Sequence, residues 1–116
     1  MHIPKDLVAA SATPLVLGIL SQQDSYGYAI IKQISELSGG QLEWTDGLLY
    51  PLLHRLERVG HIESFWQTPE GGRRRKYYRI TDQGRTELAE HHRQWTAVVD
   101  ALKGIWNMTP ARLVEG

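Results

Sequence analysis

Arg73, Arg74, Arg75 and Lys76 form an unbroken run of four cations, and the chemistry such a run performs is capture of an anion. Neighbouring cations repel one another, so an anionic partner accounts for the run better than a solubilising turn does. On an extended strand Arg73 and Arg75 face one side and Arg74 and Lys76 the other, leaving about half of them for phosphate in one pose. As a group they should steepen the salt dependence of binding. Earlier in the chain, Tyr50, His54 and Arg55 fall on successive turns of an expected helix. Hydrogen-bond donors and apolar edges at that spacing suit base edges in the major groove of DNA.

Other chemistries find less material. His91 and His92 are adjacent, so on a helix they point roughly 100° apart and cannot share an ion in the i, i+4 manner. No cysteine is present to assist them, and no metal site is expected. No nucleophile elbow, glycine-rich phosphate loop or paired-carboxylate arrangement occurs, so neither an enzyme nor a cofactor is expected. Trp95 and Trp106 stand as packing residues first, because aromatic stripes at helical spacing usually fill an interface. The functional alternative is a slot for a flat aromatic ligand between two symmetry-related indoles, with Ala10, Ala97 and Val99 small enough to permit it. On physical grounds alone the packing reading outweighs it.

With 116 residues, 41% of them hydrophobic, the chain holds one modest core and at most one appended element. The absence of cysteine rules out a disulfide framework and agrees with a reducing cytoplasm, the expected location. No apolar run approaches a bilayer span, and MHIPKDLVAASATP lacks the basic and long apolar regions of a signal peptide. Formal net charge is zero, but residues 73–85 carry +5 and the remainder therefore −5. An electropositive spot on an acidic molecule binds phosphates locally while disfavouring loose coating of DNA.

The elements that must position these residues follow from periodicity and punctuation. A first helix begins near Pro4, and Thr13-Pro14 predicts a kink or a restart with Thr13 as N-cap and Pro14 at the first helical position. Ser25 caps a second helix over 26–37, with Ala29, Ile30, Ile34 and Leu37 on its apolar face and Lys32, Gln33 and Glu36 opposite. Ser38-Gly39-Gly40 stops it. Thr45 caps a third helix whose stripe is Leu48, Leu49, Leu52, Leu53, Leu56 and Val59. Its other face carries Asp46, Gly47, Tyr50, Pro51, His54, Arg55 and Arg58.

Gly60 ends that helix. Ile62, Phe65 and Trp66 on one side, and Tyr77, Tyr78 and Ile80 on the other, suit a two-stranded ribbon turning over 68–72. Thr81 then opens a last helix running to about Trp106. Leu88, Trp95 and Leu102 recur every seven residues, and His92, Val99 and Trp106 follow each by four. That seam needs a cover which the rest of so short a chain cannot easily supply, so a second copy is expected to provide it as a two-fold dimer. The fold class is α+β, mostly α: a winged helix-turn-helix over 1–81, a C-terminal dimerisation helix over 82–107 and a tail over 108–116.

Three segments carry a family resemblance: YGYAIIKQI at 26–34, LLYPLLHRLERVGHI at 48–62 and GGRRRKYYRITDQG at 71–84. In that order and spacing the chain resembles the PadR family of bacterial transcriptional regulators over nearly its whole length. The single C-terminal helix, and IPK at 3–5, resemble the short branch that includes multidrug-responsive repressors. The resemblance implies a homodimer that binds a palindromic operator, represses a promoter and is released by a small hydrophobic or aromatic effector. It places Trp95 at a pore on the dimer interface, with Leu7, Ala10 and Pro14 as the remaining wall and either Val99 or Asp100 facing the pore. Pro14 departs from the branch, where an ordinary helix former stands, and Trp106 would narrow the far end.

The expected DNA contacts are Tyr50, Pro51, His54 and Arg55 in the groove and Lys32, Arg73, Arg74 and Lys76 on phosphate. Thr45 is expected as helix cap with reach to the backbone. Leu88, His92, Trp95, Val99, Leu102 and Trp106 form the expected dimer interface. A competing expectation is a winged-helix module that binds another protein without sequence-specific DNA binding.

Overall fold

The computed structural model describes residues 1–108, so all of the expected tail beyond Met108 lies outside the described residues. The chain runs α1 (Lys5–Gln22), β1 (Ser25–Tyr26), α2 (Gly27–Leu37), α3 (Asp46–Arg58), β2 (Ile62–Gln67), β3 (Arg75–Ile80) and α4 (Asp82–Met108). This is a winged helix fold with a long terminal helix, as the sequence leads one to expect.

α1 passes through Pro14 without a restart, so Thr13 is not an N-cap. Ala12 before the proline and Val16, Leu17, Ile19 and Leu20 after it are all buried in one core. Breaking the helix would expose one of those two sets, which costs more than one missing N–H. Its start is Pro4, whose carbonyl accepts from Leu7 N and Val8 N, each at 3.1 Å.

Ser25 is likewise not a helix cap. It is buried in β1, opposite Tyr78, with Tyr26 opposite Tyr77. The expected ribbon is therefore a three-stranded antiparallel sheet in the order β1-β3-β2. A two-residue strand is enough to satisfy part of the β3 edge, and α2 starts at Gly27 in consequence. α2 buries Ile30 and Ile34, but Leu37 is exposed because it stands in the final turn, past the end of the core.

α3 begins as expected, with Thr45 Oγ1 accepting from Leu48 N at 3.3 Å. Leu49, Leu52, Leu53 and Leu56 are buried, each contributing roughly 1.5–3 kcal/mol relative to exposure. Val59 leaves the stripe: it is the C-cap residue and half exposed. Gly60, at φ 86°, lets the chain reverse so that His61 N reaches Leu56 O at 2.9 Å.

β2 and β3 pair from Ile62 opposite Ile80 to Gln67 opposite Arg75. Ile62, Tyr78 and Ile80 turn inward to the helices. On the outer face Tyr77 meets Tyr26 edge-on at 5.2 Å and stacks with Phe65 at 5.8 Å. Thr81 Oγ1 then accepts from Gly84 N at 3.1 Å and donates to Gly60 O at 2.6 Å, capping α4 and tying it to the end of α3. α1 packs along the first part of α4. Residues 100–108 are all exposed, and the projecting helix makes the molecule 56 Å long. No helix among the described residues is long and apolar enough to cross a membrane.

Candidate nucleic-acid interface

Thr45, Asp46, Gly47, Tyr50, Pro51, His54 and Arg55 lie together on the open face of α3, where all are exposed. Two of them are less free than periodicity implies. The Tyr50 hydroxyl rests on Gly27 so closely that a Cβ there would overlap it, which locks the start of α2 to α3. Arg55 Nη2 donates to Thr13 Oγ1 of α1 at 3.4 Å, so part of its fork is directed inward to the scaffold. Lys32 is exposed on α2, beside Tyr28 and Gln33, in a separate shallow depression.

Only the second half of the four-cation run lies on a strand. Arg73 and Arg74 belong to the connection before β3, which tightens where Gly72 N meets Pro69 O at 2.9 Å. Together with Arg75 and Lys76 at the start of the strand, they line one groove of about 390 Å³. Tyr26, Gly27 and Tyr28 form its α2 side, Tyr50 its α3 side and Trp66 its wing side. Among the described residues no carboxylate lines it. Arg73 and Arg74 precede the strand, so the expected alternation applies only to Arg75 and Lys76, which lie against Tyr26 and Tyr78 respectively.

Aromatic rings hold three of these cations. The Arg74 guanidinium carbon lies 4.7 Å from the Trp66 ring centre, Arg75 lies 4.5 Å from Tyr26, and Lys76 Nζ lies 5.7 Å from Tyr78. Arg79 is treated otherwise, standing 4.1 Å over Phe65 and 3.9 Å from both Asp24 and Glu63. Burial, then the nearby Glu57 and Tyr50, push the Tyr78 hydroxyl above its ordinary pKa, so it stays neutral under the sheet. Tyr26, Tyr28 and Trp66 belong to this groove although the sequence did not single them out, and Arg75, counted in the cation run, was not among the expected DNA contacts. Trp66, an aromatic just before the turn, was a usable signal; Tyr26 was not, because its place depends on pairing with β3.

The second region lies between α1 and α4. Trp95 is half buried and separates two apolar grooves of about 300 and 290 Å³. Ala10 lines the first and Pro14 the second, so those two and Trp95 are brought together. Leu7, Val99 and Asp100 line neither, while Val98 and His91 do contribute. His91 stands 3.3 Å from Glu87 and borders both grooves.

Along the seven-residue seam, Leu88 packs against the core, Trp95 and Val99 are half buried, and His92, Leu102 and Trp106 are exposed. α1 of the same chain therefore covers the first part of the seam, more than its length suggested, and leaves the far part open. Among the described residues no group of three or more metal-ligating side chains could hold an ion.

Residues 16–90 match the transcriptional regulator PadR-like family. The chain is 34% identical over 89 residues to the transcriptional regulator YqjI of Escherichia coli strain K12, spanning 77% of this chain and 41% of that one. Among solved structures it is similar to a protein of Streptococcus mutans UA159, with 33% identity, TM-score 0.80 and coverage of 93% of this chain and 95% of the other. It is also similar to a PadR-like transcriptional regulator of Bacillus cereus, with 28% identity, TM-score 0.78 and coverage of 87% and 96%.

Proposed function

Because this chain belongs to the PadR-like family of DNA-binding transcriptional regulators, we propose that it is a homodimeric repressor, released from a palindromic operator by a small aromatic or hydrophobic effector. The observation that carries the DNA-binding part is the groove that gathers four cations and, among the described residues, no carboxylate beside the open face of α3. In this reading Tyr50, Pro51 and His54 meet base edges, with Arg55 contributing the donors that Thr13 does not occupy. Lys32 and the wing cations hold phosphate, and Thr45 caps the helix near the backbone. Membership of a DNA-binding family disfavours the protein-interaction module.

The effector reading is supported by the two apolar grooves on either side of Trp95, with Ala10 and Pro14 opposite. Leu7, Val99 and Asp100 enter it only if a second copy closes the pore over them. The domain division at residue 81 belongs to the same reading, as does residence in the cytoplasm, where its DNA partner would be. A ligand that moves the paired α4 helices would change the spacing of two α3 helices and lose operator register.

A gel-shift titration against duplex from upstream of its own gene tests this, at fixed salt, with and without an aromatic compound that quenches Trp95. Retardation resistant to random competitor and weakened by the compound is expected. Equal retardation of random duplex would overturn the operator; unchanged affinity with every quenching compound would overturn the effector.

A further inference from the structure

We infer that Trp66 and Tyr26 are positioning residues of the DNA interface, holding Arg74 and Arg75 in place so that the wing groove is a preset cradle for a sugar-phosphate strand. The inference rests on the DNA-binding reading and goes beyond it, because it assigns a role to two aromatic residues rather than to the cations.

Trp66 is 55% exposed near the end of β2, where it fills no core. What its ring does touch is Arg74, 4.7 Å from its centre. Tyr26 holds Arg75 in the same way at 4.5 Å, and Tyr26 is itself fixed by strand pairing and by the edge of Tyr77. A guanidinium lying on a ring face keeps its N–H edges outward, so the donors stay available to phosphate oxygens.

Arg79 provides the contrast. That cation also lies on a ring, Phe65, but two carboxylates flank it, and its charge is spent within the protein. Among the described residues, Arg73, Arg74, Arg75 and Lys76 have no carboxylate within ion-pair distance. Rings orient Arg74, Arg75 and Lys76 without neutralising them. A flexible arginine loses rotamer freedom when it binds; one already seated on a ring has lost much of it in the free protein. The chain from Tyr26 to Gly27 to the Tyr50 hydroxyl also ties the wing root to α3, so both parts meet a duplex as one rigid unit.

The test is a double-substitution cycle on the full chain, read as dissociation constant and salt slope for own-upstream and random duplexes. Trp66→Ala should weaken binding about two- to fivefold, and Trp66→Phe should recover most of that. Arg74→Ala should lower the salt slope by roughly one per site, and its effect on affinity should shrink when Trp66 is already alanine. Arg79→Ala should leave the slope unchanged. If the wild-type chain binds and the Trp66 and Arg74 effects simply add, or phenylalanine rescues nothing, the positioning role is overturned while DNA binding stands. If the wild-type chain binds neither duplex, the DNA-binding reading itself fails.

Discussion

Gly84 carries the seating of α4, and at the residue scale it shows how one missing side chain sets an element. A Cβ at this position would overlap the His61 carbonyl oxygen and crowd Ile80. That same carbonyl accepts from Thr81 N at 3.1 Å, so it cannot move aside without breaking the junction between hairpin and helix. Gly84→Ala should therefore destabilise the fold by about 1–3 kcal/mol despite alanine's better helix propensity, as read by urea denaturation. A gain in stability would show that the junction yields. Thr45 and Gly60 were legible in the sequence because a cap and a left-handed turn act within a few residues of themselves. The need for Gly84 was not, since its obstacle is the backbone of His61, a residue on the far side of the hairpin.

Among the elements, α1 departs furthest from local expectation. Pro14 argues for a break, yet Ala12 and Val16 are buried on either side of it in a continuous helix. Pro14→Ala should restore one backbone hydrogen bond and raise stability by roughly 1–3 kcal/mol in thermal denaturation. A lower melting temperature would mean that the ring's packing beside Trp95 outweighs the missing donor. β1 was illegible for a related reason. Ser25 and Tyr26 look like the cap and first turn of a helix, and only the free edge of β3 draws them into a strand. α3 and the two long strands, whose signals are periodic over many residues, were read correctly.

For the whole molecule, the physical chemistry turns on the far half of α4. Leu102, Ile105 and Trp106 are exposed on the far part of α4, beyond the stretch covered by α1, an apolar surface of the kind that marks an interface. The proposed homodimer buries it. Leu102→Asp combined with Trp106→Asp should convert a sedimenting dimer to a monomer and abolish operator retardation together. A wild-type chain that sediments as a monomer, or a doubly substituted chain that remains dimeric, would remove the two-fold arrangement from the mechanism.

From the amino-acid order alone came the winged helix class, the caps of α3 and α4, the open face of α3 and the seven-residue seam. All rest on interactions within a turn or two, or on periodicity that any observer of the sequence can count. The tertiary structure decided that four cations share one groove, that Trp66 and Tyr26 hold two of them, and that α1 stays whole and shields half of the seam. Each of those depends on residues far apart in the chain competing for the same burial or the same strand edge. No local pattern records which of them prevails.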